Sequence, residues 1–255
     1  MKVVLVGAGR LATNLAKALV ASGHEVVAVY SRTMQSAEAL ADVVGGTPTD
    51  SIAALPLSAD AFILSVKDSA LEGVIEQVSA GRVGQLLIHT AGSIPLSVFS
   101  GFASRCGVLY PMQTFSKERT VNFREIPVFI EGGDPLIEVL ARSVSDNVYR
   151  LSSADRKYLH LAAVFAANFA NHCYALSADV LAHCGLPFNV MLPLIDETAR
   201  KVHQLSPKEA QTGPAVRYDE NVISMQAALL SDEPQLQNVY KLLSESIHEK
   251  ALQKD

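Results

Sequence analysis

The chain is short of cysteine, of net charge and of charged runs, and each shortage removes a class of function. Its 255 residues include three cysteines, Cys106, Cys173 and Cys184, an odd number with no C-x-x-C pair. That excludes a disulfide framework and reads as reduced thiols in a cytoplasmic protein. His172 and His183 fall near two of these cysteines but lack ligand spacing, so no metal is expected. The net charge of −5 and the absence of a basic block argue against nucleic acid as a partner. No nucleophile elbow is present, which leaves hydrolysis without a signature. An apolar strand begins almost at the first residue and leaves no room for a secretory leader, so a soluble, cytoplasmic protein is expected.

One apolar run is long enough to cross a bilayer. Residues 159–178 carry no formal charge. The run also holds His160, Asn168, Asn171, His172 and Tyr174, which are costly in lipid. A buried helix or a subunit interface is the better reading, and no membrane partner is expected.

What is present begins at once. Val3-Val4-Leu5-Val6 is a short β-branched run, as for a strand buried on both faces of a parallel sheet. It leads into Gly7-Ala8-Gly9-Arg10-Leu11-Ala12 and then into a helical pattern. Strand, G-x-G-x-x-A and helix in that order make a dinucleotide-binding fingerprint. Gly7 permits the tight turn, Gly9 lets the backbone approach a pyrophosphate, and Ala12 keeps helix close to sheet. The helix N-terminus offers its free N–H groups to the anion. The second strand, Glu25 to Tyr30, ends in Ser31-Arg32-Thr33, where an NAD-binding unit usually carries an acid. A guanidinium between two hydroxyls suits a 2′-phosphate, so the cofactor expected is NADP.

Further strands are expected at 60–66, 85–89, 107–110, 127–131 and 147–151, with helices at 36–41, 70–78 and 135–144 between them. Ligands lie beyond the carboxyl ends of strands in such a sheet, which places Ser65, Val66, Lys67 and Thr90 beside the cofactor. From Ser153 the pattern is helical throughout. The fold expected is therefore α/β: a Rossmann-type doubly wound parallel sheet over residues 1–152, then an all-helical domain over 153–255.

Ser152 is a candidate cap for a helix running to Cys184, where Gly185 and Pro187 stop it. At 100° per residue, Lys157, His160, Asn168 and Asn171 share an arc of roughly 80°, suggesting a wet cleft along one side. Later helices are expected over 189–204, 218–230 and 234–251, with a turn at Thr212-Gly213-Pro214. Just past it, Arg217 and Asp219 either form a structural salt bridge or contact substrate. The helical domain is too small to cover so apolar a helix alone, so a homodimer through the helical domain is expected.

His89-Thr90-Ala91-Gly92-Ser93, Pro111-Met112-Gln113-Thr114-Phe115, Lys157 with His160 and Asn168, and residues Thr212 to Asp219 carry a family resemblance over nearly the whole chain. The sequence resembles the group of pyrroline-5-carboxylate reductase, 6-phosphogluconate dehydrogenase and ketopantoate reductase. More closely, it is similar to a bacterial family of NADP oxidoreductases of unassigned reaction, related to deazaflavin-dependent NADP reductases. The resemblance implies a Rossmann domain, a helical domain and an active site between them. Relatives often have His where this chain has Tyr110, Ser at Ala91 and Gly at Tyr218, so the resemblance gives Tyr110 no catalytic role.

The function expected is NADP-dependent hydride transfer to or from a small substrate; the alternative is a non-catalytic NADP-binding sensor or assembly protein. His160 is the first candidate acid/base, since an imidazole titrates near neutral pH, and His89 the second. Lys157 would polarise a carbonyl or bind a carboxylate, and Asn168 would orient the substrate.

Overall fold

The N-terminal apolar run forms β1 (Lys2–Val6). Val3 and Leu5 pack into one half of the core, Val4 and Val6 into the other. A strand covered on both faces needs no polar alternation, which is why the run shows none. In the computed structural model, which describes residues 1–119 and 121–253, β1 leads into α1 (Arg10–Ala21), β2 (Glu25–Tyr30), α2 (Met34–Val44) and β3 (Thr47–Thr49). Then come β4 (Ala61–Leu64), α3 (Asp68–Ser79), β5 (Leu86–His89) and β6 (Arg105–Pro111). The sheet closes with β7 (Val128–Glu131), α4 (Pro135–Val144) and β8 (Val148–Arg150). Its order is β3-β2-β1-β4-β5-β6-β7-β8, a Rossmann order whose switch point lies between β1 and β4.

Two features depart from a wholly parallel sheet with the expected strands. β7 runs antiparallel to β6, while β7 and β8 are parallel. Parallel neighbours need a crossover, and α4 supplies one between β7 and β8. Residues 112–127 contain only a 3₁₀ turn, Phe123–Glu125, among those described, so the chain returns directly and pairs antiparallel. The unexpected β3 is Thr-Pro-Thr at the sheet edge, where a proline without an N–H is tolerated.

Ser152 caps α5 (Ser153–Ala163), accepting a hydrogen bond from the Asp155 N–H. The helical run expected to reach Cys184 unbroken is interrupted by a π-helical turn, Val164–Phe169, before α6 (Ala170–Ala182). Each residue of a π turn advances by less than 100°, so phases counted along a uniform α-helix fail beyond it. The chain divides into two compact units, Met1–Asn168 and Phe169–Asp255.

In the second unit, the helix expected over 189–204 is a 3₁₀ turn, Phe188–Met191, followed by α7 (Leu192–Lys201). A proline in the first turn of α7 sets that start. Then come α8 (Pro207–Ala210), α9 (Pro214–Arg217), α10 (Glu220–Ala228) and α11 (Pro234–Leu252). Among the described residues, no helix is long and apolar enough to cross a membrane.

Candidate functional site

The opening turn is built so that only glycine fits its first position. Gly7 has φ of +118°, and a Cβ there would collide with the Ser65 carbonyl at the end of β4. Its N–H donates to the Tyr30 carbonyl at the end of β2, at 2.8 Å. Gly9 is the N-cap of α1, with no side-chain cap and no acid in the first turn, and the space above its Cα is open. The first N–H groups of α1 are thus left for an anion.

Around this turn lies a cleft of about 680 Å³ whose walls include Gly7, Ala8, Gly9, Ser31, Arg32, Ser65, Val66 and Lys67. These are cofactor candidates of the sequence reading, and the fold brings them together. Tyr30 and Ser36, which the sequence does not single out, share the wall. Five other candidates lie off this cleft, and one of them, Arg10, is among the residues that line the second one. Ala12 is buried and Leu11 packs against the same core. Thr33 stands at the N-cap position of α2, where its hydroxyl donates to the Ser36 hydroxyl at 2.9 Å rather than accepting from a helix N–H. Thr90 is buried, with its N–H on the Leu64 carbonyl at 3.2 Å.

A second cleft, of about 570 Å³, is lined by Arg10, Tyr110, His160 and Asn168, with Met112, Phe115 and the small side chains of α5 and the π turn. The Tyr110 hydroxyl and His160 Nδ1 lie 3.0 Å apart in a hydrogen bond, and the rings meet edge to face. Burial raises the Tyr110 hydroxyl above its ordinary acidity range, against a lowering pull from the Arg156 charge. The backbone closes over the pair at Gly92, where a Cβ would sit 2.6 Å from His160 Nδ1 and 3.0 Å from the Tyr110 ring.

The remaining candidates lie elsewhere. His89 is wholly buried, stacked on Phe99, with Nδ1 accepting from the Ala91 N–H at 3.2 Å. Burial, then the Arg156 charge, pushes it down to about 4, so it is neutral at physiological pH. Its Nε2 is buried without a hydrogen-bond partner. Lys157 is exposed and, like Asn171, is absent from the wall that His160 and Asn168 share. Arg217 and Asp219 form no ion pair among the described residues; Gly213, with φ of +106°, and Pro214 start α9, and Tyr218, with φ of +51°, ends it.

Sequence reasoning gave Tyr110 no catalytic role, named Gly92 only within a motif, and did not single out Arg156. Tyr110 stands near the ligand-facing end of β6, a position that was itself the available signal. Arg156 is 1 % exposed and ion-paired to Glu131, which no local pattern reveals.

These features agree with comparisons to known proteins. A family described as NADP oxidoreductase, coenzyme F420-dependent, matches residues 2–92, and a domain of unknown function, DUF2520, matches residues 126–247. The crystal structure named "putative NADP oxidoreductase BF3122 from Bacteroides fragilis" is 52% identical, with TM-score 0.93, over 97% of this chain and 98% of that one. The chain belongs to this family of NADP oxidoreductases. More distant structures share the fold. Protein TM1727 from Thermotoga maritima is 22% identical, with TM-score 0.72 over 98% of both chains. The Plasmodium falciparum pyrroline carboxylate reductase, solved with NADP bound, is 13% identical, with TM-score 0.61 over 98% of both chains. No curated protein matches the sequence significantly.

Proposed function

We propose that this family member transfers a hydride between NADP(H) and a small substrate held beside Tyr110 and His160. The observation that carries the reading is the pairing, within residues 1–168, of an uncapped glycine turn beside Arg32 and Lys67 with a cleft that ends on a hydrogen-bonded Tyr–His pair. The cradle fits a dinucleotide: Gly7 tolerates no side chain, Gly9 has open space above it, and α1 presents free N–H groups. Arg32, Lys67 and Ser31 would hold the 2′-phosphate, and the start of α1 the pyrophosphate.

When bound, the nicotinamide supplies or accepts the hydride. The chain then has to orient the substrate and move one proton. In reduction of a C=O or C=N bond, carbon takes the hydride and the heteroatom takes a proton. His160 gives that proton from Nε2 while its Nδ1–H is held by the Tyr110 oxygen, and Nε2 regains a proton from water. Asn168 lines the same cleft and orients the polar end of the substrate. Lys157 and His89, placed away from this wall, take no part.

NADPH oxidation by the purified protein over a panel of ketones, imines and a deazaflavin tests the reading. Turnover that His160→Ala abolishes while NADPH affinity is kept supports it. Tight NADPH binding with no turnover on any member contradicts it and favours a sensor.

The chain is also a homodimer in this reading, joined through its helical unit. Among the described residues from 169 onward, only Leu181, Ala215, Ala227 and Leu230 are buried hydrophobics, while Leu186, Val190, Leu192 and Leu194 are 46% to 63% exposed. Sedimentation at micromolar concentration is expected to show the dimer; a monomer contradicts this part.

A further inference from the structure

The most deeply buried cation among the described residues has no place in the chemistry above. Arg156, 1 % exposed, lies one helical turn before His160 on α5. Its Nη1 donates to Glu131 Oε2, its Nη2 to the Ile94 carbonyl at 2.6 Å, and its Nε is buried without a partner. Glu131 also accepts from the Ser153 N–H at 3.0 Å and the Ser153 hydroxyl at 2.7 Å. The Ser153 hydroxyl oxygen in turn accepts from the Leu96 N–H at 2.8 Å. Three segments therefore meet on one ion pair: the end of β7, the loop after β5 and the first turn of α5.

We propose that the Arg156–Glu131 pair is the positioning device for the Tyr110–His160 hydrogen bond. It locks the base of α5 against the sheet and against the loop that carries Gly92, and so fixes the imidazole opposite a hydroxyl anchored on β6. The inference rests on the Tyr110–His160 reading. Solvent exposure would serve an Arg–Glu pair whose only task was solubility, and a buried pair is weak support for stability, because well-packed apolar replacements often do as well. Burial at a three-way junction next to a proton-donating pair is what positioning requires. The groups facing His160 are Tyr110 from β6 and the Gly92 backbone, with Arg10 in the same cleft.

The experiment reads the His160 Cε1 resonance by NMR of the full chain labelled at histidine Cε1, assigned with His160→Gln. In the native chain, Tyr110→Phe is expected to shift that resonance, because the ring loses its hydrogen-bond partner and its edge-to-face neighbour's hydroxyl. The same change is made in Arg156→Met/Glu131→Leu, which removes both charges together and so leaves neither one stranded, and in Glu131→Gln. NADPH affinity within twofold of native shows that the variants are folded. Loss of the Tyr110→Phe shift in the folded double variant supports positioning. A shift as large as in the native chain overturns it and leaves the pair a structural cross-link. No Tyr110→Phe shift in the native chain removes the Tyr–His pair itself, and the positioning role with it.

Discussion

The two clefts of residues 1–168 are built from different materials. The glycine-turn cleft is made largely of backbone: a φ that only glycine adopts easily, helix N–H groups without caps, and the carboxyl ends of β1, β2 and β4. The Tyr110–His160 cleft is made of side chains, contributed by Arg10 at the start of α1, β6 and the loop after it, α5 and the π turn. A backbone site is written in consecutive residues, since strand, turn and helix dictate it locally. A side-chain site depends on how distant segments register, so its geometry appears only after the chain is folded.

If the two are separately built, they can be broken separately. Gly7→Ala carries the largest expected effect. Strain at φ +118° and the clash with the Ser65 carbonyl cost about 3 kcal/mol or more of stability, and NADPH affinity falls with it. Urea unfolding and calorimetry check both. Retained affinity and native stability would show that the turn is not so tight.

Next is pH. His89 is held neutral by burial at about 4, against 6.5 when unfolded, so between those values the unfolded chain binds the extra proton. Stability therefore falls as pH drops from 6.5 toward 4, by up to about 3 kcal/mol at 1.36 kcal/mol per pH unit. Glu131, kept below its ordinary range when the Ser153 and Arg156 hydrogen bonds outweigh burial, loses its contribution as pH falls further, below about 4.5. Urea unfolding across this range should steepen in the native chain and flatten in His89→Gln. Equal slopes in both would place the acid sensitivity elsewhere.

Gly92→Ala has the smallest expected effect and sharpens the comparison most. Its methyl group displaces the His160 ring, which costs about 1 kcal/mol with the lost Tyr110 hydrogen bond. NADPH affinity should stay within twofold, because no wall of the glycine-turn cleft changes. A matching loss of NADPH affinity would mean the clefts are coupled.

How much of this was legible follows the same division. Glu25–Tyr30 and Pro135–Val144 coincide with the expected strand and helix, because apolar patterning and an Asp134–Pro135 helix start are local signals. The reversed direction of β7 was not legible, since strand patterning carries no direction. Of the stripe on the long helix, His160 and Asn168 share a cleft, whereas Lys157 lies off it. Lys157 and His160 stand three residues apart on regular α5, so a shared arc was not enough to bring both to the cleft. The π turn begins after His160, contains Asn168, and changes only the phase on which Asn168 and Asn171 were counted. Arg32 could be placed from its distance along a βαβ unit. Arg156 could not, because its partners Glu131 and Ile94 are 25 and 62 residues away.

The central claim is that a 2′-phosphate-bearing dinucleotide lies across the opening turn with Arg32 on the phosphate. Calorimetric titration of the native chain and of Arg32→Ala with NADPH and NADH tests it directly. The expected result is at least about tenfold tighter NADPH binding in the native chain, a preference lost in Arg32→Ala while NADH affinity is unchanged. Equal affinities, or tighter NADH, in the native chain would contradict it.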